Sequence, residues 1–328
     1  MSDLVRTLTF LTAFAASSPA ADLRIGVVGL DTFHVIQYLK VINDPTAPEH
    51  VTGGRIVAGY VGGSPDVEMS RQRLAEVPKL VVERYGVRLY DSIEELARSV
   101  DAIMIESIDG RPHLEQFRRT LATRRPVFID KPFAGSLRDA VEIVRLAREN
   151  RIPCFSSSSL RFTYNSPLLQ RDKIGEIRSA WSFGPADTEP HHPDLFWYGV
   201  HAVEALYTVM GTGCVQVVRT TGKSTDIVTG LWHEGQTGTV QGNRGIGRGF
   251  GITVFGTKGT VSGGDKQSLN AVAREVMKFF QTGKPPVALE ETLELFAFME
   301  AADESKRRGG APVKLAEMLA AAGAPVAK

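Results

Sequence analysis

Between residues 23 and 157 short apolar runs alternate with stretches whose apolar residues recur every three or four positions. The runs are Leu23–Val28, Arg55–Val61, Val87–Tyr90, Ala102–Ile105, Val127–Ile129 and Pro153–Phe155. They are near-continuous rather than alternating, which predicts strands covered on both faces. Val35, Ile36, Leu39, Val41 and Ile42 share a helical face that Asn43-Asp44-Pro45 stops. Ser92-Ile-Glu-Glu95 is a capping box that opens a second helix. A third starts near Arg111-Pro112-His113, and Ser136-Leu-Arg-Asp139 opens a fourth with Leu137, Ala140, Val141 and Val144 on one side. Strands alternating with helices predict an α/β, doubly wound parallel sheet of the Rossmann type over residues 22–157.

The rhythm then changes. Ile177–Phe183, Val215–Thr221, Ile227–Trp232, Thr237–Gln241, Ile252–Phe255 and Thr260–Ser262 read as strands joined by glycine turns at Glu234-Gly235 and Thr257-Lys-Gly259. Helices over Leu269–Thr282 and Glu290–Arg308 follow. Residues 158–328 are therefore expected to form an α+β domain with a large, mostly antiparallel sheet.

The first 21 residues fit neither rhythm. Arg6, the apolar run Leu8–Ala16 and the small residues Ser18-Pro19-Ala20 stand in the order of a secretory signal. The run is too short to span a membrane. A cleaved leader and a periplasmic or secreted protein are expected, with a cytoplasmic protein carrying an N-terminal extension as the alternative. The chain has 328 residues, 43% hydrophobic and 23% charged, with a net charge of +1. That is a soluble composition without the basic surface that nucleic acid requires, and without a membrane partner once the leader is removed. Cys154 and Cys214 fit neither a metal-ligand spacing nor a disulfide framework.

Candidate chemistry begins at the first turn, Gly26-Val-Val-Gly29-Leu-Asp31-Thr32-Phe-His34. A glycine turn between a strand and a helix lets phosphate approach backbone amides. Of the three glycines in such a turn only Gly29 is present; Asp31 and His34 hold the other places. The competing reading is a tight turn with Asp31 or Thr32 as helix cap. Farther on, His191, His192, Asp194, His201 and Glu204 lie close in sequence, and residues 201 and 204 share a helical face. Such groups also suit a divalent metal with a carbohydrate, although the dominant reading assigns no metal.

Three motifs in order bring a resemblance. Asp130-Lys131-Pro132 follows the strand ending at Ile129, Tyr198-Gly199-Val200-His201 ends in Gly-x-His at a helix start, and the stretch from Glu290 to Lys306 leads to Pro312-Val-Lys-Leu315. The chain resembles the glucose–fructose oxidoreductase, inositol dehydrogenase and rhizopine-catabolism family (Gfo/Idh/MocA). The resemblance implies hydride transfer between NAD or NADP and a small-molecule substrate, a sugar, polyol or related hydroxyl compound. It also implies a homo-oligomer formed through the C-terminal sheet. It makes Lys131 and His201 the catalytic pair. The cofactor would be lined by Gly29, Asp31, Thr32, His34, Ser64, Glu106, Ser107, Asp109, His113, Asp130 and Pro132, and the substrate by Arg161, Asp194, Trp197 and Tyr198.

Several positions depart from the family pattern. Asp31 sets a carboxylate where pyrophosphate comes close. Gly62-Gly63-Ser64 follows the second strand in place of a ribose-binding acid, leaving Asp66 and Arg71 as candidates for the ribose or its phosphate. Trp197 stands where relatives place an aspartate, leaving Asp194 and Glu204 as candidates to orient His201. These departures sustain an alternative: an exported relative without redox activity, either a metal-dependent carbohydrate-acting enzyme or a non-catalytic sugar-binding protein.

Overall fold

The structure, a computed structural model, describes residues 21–168, 171–264 and 267–324, the side chains of 164–168 and 171 excepted. The expected leader lies outside the described residues except for Ala21.

The first domain runs β1 (Leu23–Val28), α1 (Phe33–Asn43), β2 (Gly54–Tyr60), α2 (Glu68–Leu74), α3 (Val77–Tyr85), β3 (Arg88–Leu89), α4 (Ile93–Ser99), β4 (Ala102–Ile105), α5 (His113–Thr120), β5 (Val127–Ile129), α6 (Leu137–Asn150) and β6 (Cys154–Ser156). Its six strands are parallel in the order β3-β2-β1-β4-β5-β6. The order reverses between β1 and β4, and there the loops at the carboxyl ends part to form the crevice of a doubly wound sheet. β4 and β5 are buried throughout, as their unbroken apolar runs predict. Ser92 and Ser136 cap α4 and α6 by accepting from the amides of Glu95 and Asp139. Thr32 caps α1, accepting from the His34 amide.

The second domain continues with α7 (Ser159–Leu168), α8 (Arg171–Ile174), β7 (Ile177–Pro185), α9 (Asp194–Trp197), α10 (Val200–Met210), β8 (Cys214–Thr221), β9 (Thr225–Trp232), β10 (Thr237–Asn243), β11 (Gly251–Gly256), β12 (Thr260–Gly264), α11 (Leu269–Thr282), α12 (Leu289–Arg307), β13 (Val313–Lys314) and α13 (Leu315–Ala321). Its seven-stranded sheet has the order β12-β11-β7-β10-β9-β8-β13, antiparallel except where β7 meets β10. The predicted α/β plus α+β architecture is the observed one. Along β9 every second residue, Asp226, Val228, Gly230 and Trp232, points inward. α10 and α12 cover that inner face. α10 is buried nearly all round because the sheet takes one side and α7 and α12 the other.

α11 leaves the second sheet and returns to the first. Val272, Ala273, Val276, Met277 and Phe279 pack with Ile25, Val27, Phe128 and Phe155, and the Phe155 and Phe279 rings meet edge-on at 4.9 Å. The two domains thus share apolar surface, which holds the crevice between fixed walls. Among the described residues no helix is long and apolar enough to cross a membrane.

Candidate functional site

The first turn of the crevice is built around Gly29. Its φ is +94°, and a Cβ there would lie 2.4 Å from the Ser107 nitrogen. Only glycine permits both the conformation and the approach. The turn is held by its own amides: Gly29 N donates to Tyr60 O and Leu30 N to Val61 O. Asp31 comes next and is fully buried. Its Oδ2 accepts from Ser70 Oγ at 2.7 Å and its Oδ1 from the Ile108 amide at 3.2 Å. One carboxylate therefore ties the loop after β1 to the loop after β4 and to α2. Burial pushes the Asp31 carboxyl above its ordinary pKa, and these hydrogen bonds oppose that shift.

A second clasp lies beside the first. Ser64 Oγ donates to Asp109 Oδ2 at 2.6 Å. Arg111 donates to Asp109 and, in fork geometry at 2.8 Å, to both oxygens of Asp66. His192 Nε2 from the second domain lies 2.9 Å from Asp109 Oδ1, and its other ring nitrogen meets Glu189. Burial alone would raise the Asp109 pKa, but hydrogen bonds from His192, Arg111 and Ser64 hold it well below the usual carboxylate range. Above this network Val67, Ile108 and Trp197 form a small apolar cluster with Met69 and Tyr198 at its edge. Trp197 is buried there, packed on the loops after β2 and β4 and against the His192 ring.

The other side of the crevice is where Lys131 and His201 come together. Lys131 Nζ lies 5.5 Å from the centre of the Tyr198 ring, which is in turn 5.7 Å from the His201 ring. Phe250 covers another edge of His201, and Arg248 stands over Tyr198. His201 is buried, and burial, followed by the charges of Lys131 and His34, lowers its pKa well below the ordinary histidine value. Its Nδ1 lies 2.8 Å from Ser158 Oγ. Ser158 is the orienting partner that sequence reasoning missed. The run Ser156-Ser-Ser-Ser159 directly after the sixth strand was the available signal. Beneath this group His34 Nδ1 meets Asp130 Oδ2 at 2.6 Å, and Glu106, at the end of β4, is fully buried.

Several expected site residues are committed elsewhere. Arg161 lies between Glu204 and Glu291, and Glu204 pairs with Arg161 while Ser158 meets the His201 Nδ1. Asp194 bonds Arg219 and Lys306. His191 bonds Glu189. The suggested metal set of His191, His192, Asp194, His201 and Glu204 is therefore divided among separate partners. His113 spans the Ser107 and Phe133 carbonyls, and Ser107 Oγ accepts from Gln116, so both brace the turn after β4. Asp66 is held by Arg111, while Arg71 pairs with Glu68 and the Pro65 carbonyl. Pro132 is buried after a cis bond from Lys131.

A nicotinamide dinucleotide is the group this fold implies, and the two ends of the crevice fit it differently. The reacting end fits: an ammonium, a neutral imidazole and an aromatic face converge on one space. At the phosphate end the fit is poorer: Asp31 is buried beside the turn, and a carboxylate there repels phosphate that comes close.

Residues 23–157, less than half of the chain, match GFO_IDH_MocA, described as an oxidoreductase family with an NAD-binding Rossmann fold. YceM from Salmonella typhimurium, named as a candidate oxidoreductase, is 28% identical over 151 residues. That match covers 46% of this chain and 42% of the relative, so the chain spans about two fifths of the curated relative it matches. Solved structures are similar over the whole fold. A probable dehydrogenase from Thermotoga maritima superposes with a TM-score of 0.71 at 21% identity, covering 90% of this chain and 99% of that one. An oxidoreductase from Agrobacterium radiobacter, crystallised with NAD+, L-tartaric acid and magnesium, gives 0.70 at 18% identity, covering 91% and 100%. Myo-inositol 2-dehydrogenase from Lactobacillus plantarum gives 0.70 at 16% identity, covering 90% and 99%. Over its Rossmann domain, residues 23–157, the chain is thus similar to the Gfo/Idh/MocA oxidoreductases of the NAD-binding kind, and over its whole fold to solved dehydrogenase structures.

Proposed function

We propose that the chain is an oxidoreductase that uses NAD or NADP on a sugar, polyol or related hydroxyl compound. The convergence of Lys131, Tyr198 and His201 at the carboxyl ends of β4 and β5 carries this reading. When bound, the nicotinamide would accept or donate the hydride. The chain's own residues handle the proton and the substrate oxygen. His201, neutral because its pKa is lowered, is ready to accept a proton. The tautomer that serves this role donates Nδ1–H to Ser158 Oγ and leaves Nε2 free as the acceptor. The Lys131 ammonium stabilises negative charge that develops on the oxygen. Tyr198 supplies the apolar face of a pyranose or cyclitol seat. Phe250, edge-on to His201, shields that ring on one side.

Two measurements test the reading. NAD(H) or NADP(H) should raise the melting temperature of the mature protein. Lys131→Ala should lower turnover on the responsive substrate by roughly 100-fold or more while the melting temperature stays within about 2 °C, because a half-buried cleft lysine holds little structure. Unchanged turnover in that variant would remove Lys131 from the chemistry.

The buried Asp31 favours a second reading, a relative that binds sugar without nucleotide, or acts on it with a metal, outside the redox class. Absence of a thermal response to both nucleotides, with a response to sugars or divalent cations, would select it. We also infer export to the periplasm or medium from the leader sequence. An intact Met1 on the cellular protein, read by mass spectrometry, would overturn that inference.

A further inference from the structure

We propose that His34, Glu106 and Asp130 form a site for one divalent transition-metal ion beneath the Lys131–His201 pair. The three residues come from the first turn of α1, the end of β4 and the end of β5, which adjoin at the carboxyl edge of the parallel sheet. One donor atom from each lies within 4.8 Å of the others. Two donors bound to one ion at roughly 2.1 Å stand at most about 4.2 Å apart. A side-chain adjustment of about half an ångström therefore closes the set around an ion.

The observation that calls for a ligand is Glu106. It is fully buried, and neither carboxylate oxygen finds a hydrogen-bond partner among the described residues. Buried polar groups in native folds are satisfied as a rule, and a buried carboxylate needs either a proton or a cation. Asp130, also buried, adds a second carboxylate to the same space. The positive groups that face them are Lys131 and, when protonated, His34. Burial and the Asp130 charge push the Glu106 carboxyl well above its usual range. One imidazole nitrogen and two carboxylates suit manganese, iron(II), cobalt or zinc better than calcium, which prefers six or more oxygens.

The proposal does not rest on the redox reading, since an ion here would serve either function, and its test needs no turnover. The full chain, stripped with chelator and dialysed, is titrated calorimetrically with Mn2+, Zn2+ and Ca2+ separately, and Mn2+ is followed by electron paramagnetic resonance. One equivalent of Mn2+ or Zn2+ with micromolar or tighter affinity is expected, with Ca2+ far weaker. Glu106→Gln, which keeps the shape and removes the charge, should weaken binding about 100-fold. Failure of the wild-type chain to take up a stoichiometric ion would overturn the site and leave Glu106 as a neutral buried acid. So would wild-type affinity in Glu106→Gln, which would place the ion elsewhere. If Glu106→Gln does not fold, His34→Gln, at a half-buried side chain, carries the same comparison.

Discussion

Asp31 shows how one side chain changes what a crevice accepts. Its carboxylate holds the Ser70 hydroxyl and the Ile108 amide, two donors that a phosphate could otherwise take. Asp31→Ser should release both. Loss of the two hydrogen bonds is expected to cost about 1–2 kcal/mol of stability, read as a lower melting temperature, while NAD+ or NADP+ binds at least tenfold more tightly in calorimetry. Equal affinity in the variant and the wild type would show that Asp31 is not the obstacle. The two cysteines make a second expectation at this scale. Burial pushes the Cys214 thiol up to about 12 and Cys154 further in the same direction. At pH 8 the native thiolate fraction at Cys214 is about 10⁻⁴. Ellman's reagent should therefore find no rapidly reacting thiol in the native chain and two in the denatured one.

Secondary elements were legible wherever their signal was local. The apolar runs marked β1, β2 and β4 to β6, and the serine caps at Ser92 and Ser136 fall where α4 and α6 begin. α2 gave no such signal: its Glu-Met-Ser-Arg-Gln-Arg-Leu sequence buries only Ser70, so it has no apolar stripe to read. The site divided along the same line. Lys131 and His201 are marked by short motifs. The partners of Arg161, Asp194 and His201 are set by contacts between distant segments, which spacing along one chain does not encode. The Asp109 clasp is of this long-range kind, joining the loop after β4 to the Glu189–His192 loop. Asp109→Asn should destabilise the protein by about 2 kcal/mol at neutral pH, since it leaves Arg111 and His192 facing a neutral group. The Asp109 pKa is depressed on folding, so its contribution is present above the unfolded value near 3.9 and fades as pH falls through the lower folded value. The gap in melting temperature between variant and wild type should therefore begin to narrow below about pH 4 and be clearly smaller at pH 2 than at neutral pH. A gap that stays constant down to pH 2 would mean that shape, not charge, holds the loops.

At the scale of the whole molecule, helices cover one face of the second sheet among the described residues. α10 and α12 bury the inner residues of its strands. The outer face carries Trp181 (39% exposed), Ile227, Leu231 and Phe255, spread over β7, β9 and β11. Single exposed apolar residues are ordinary, but four on one face of one sheet form a patch of the kind that associates. The Thr229 and Thr239 hydroxyls on the same face bond across the strands, as do those of Thr253 and Ser262. A second copy meeting it across a two-fold axis would set like on like, as an isologous interface requires. Burying the patch on both copies would need to remove more than about 1,000 Å² from water for a stable pair. Light scattering of the wild-type chain should report a dimer or higher even-numbered assembly. The double variant Trp181→Glu, Leu231→Glu should run as a monomer with unchanged circular dichroism, because both side chains point away from the core and four buried charges per dimer would repel. A wild-type chain that is monomeric at tens of micromolar would leave this face to some other partner, and a variant that stays assembled would move the interface to another surface.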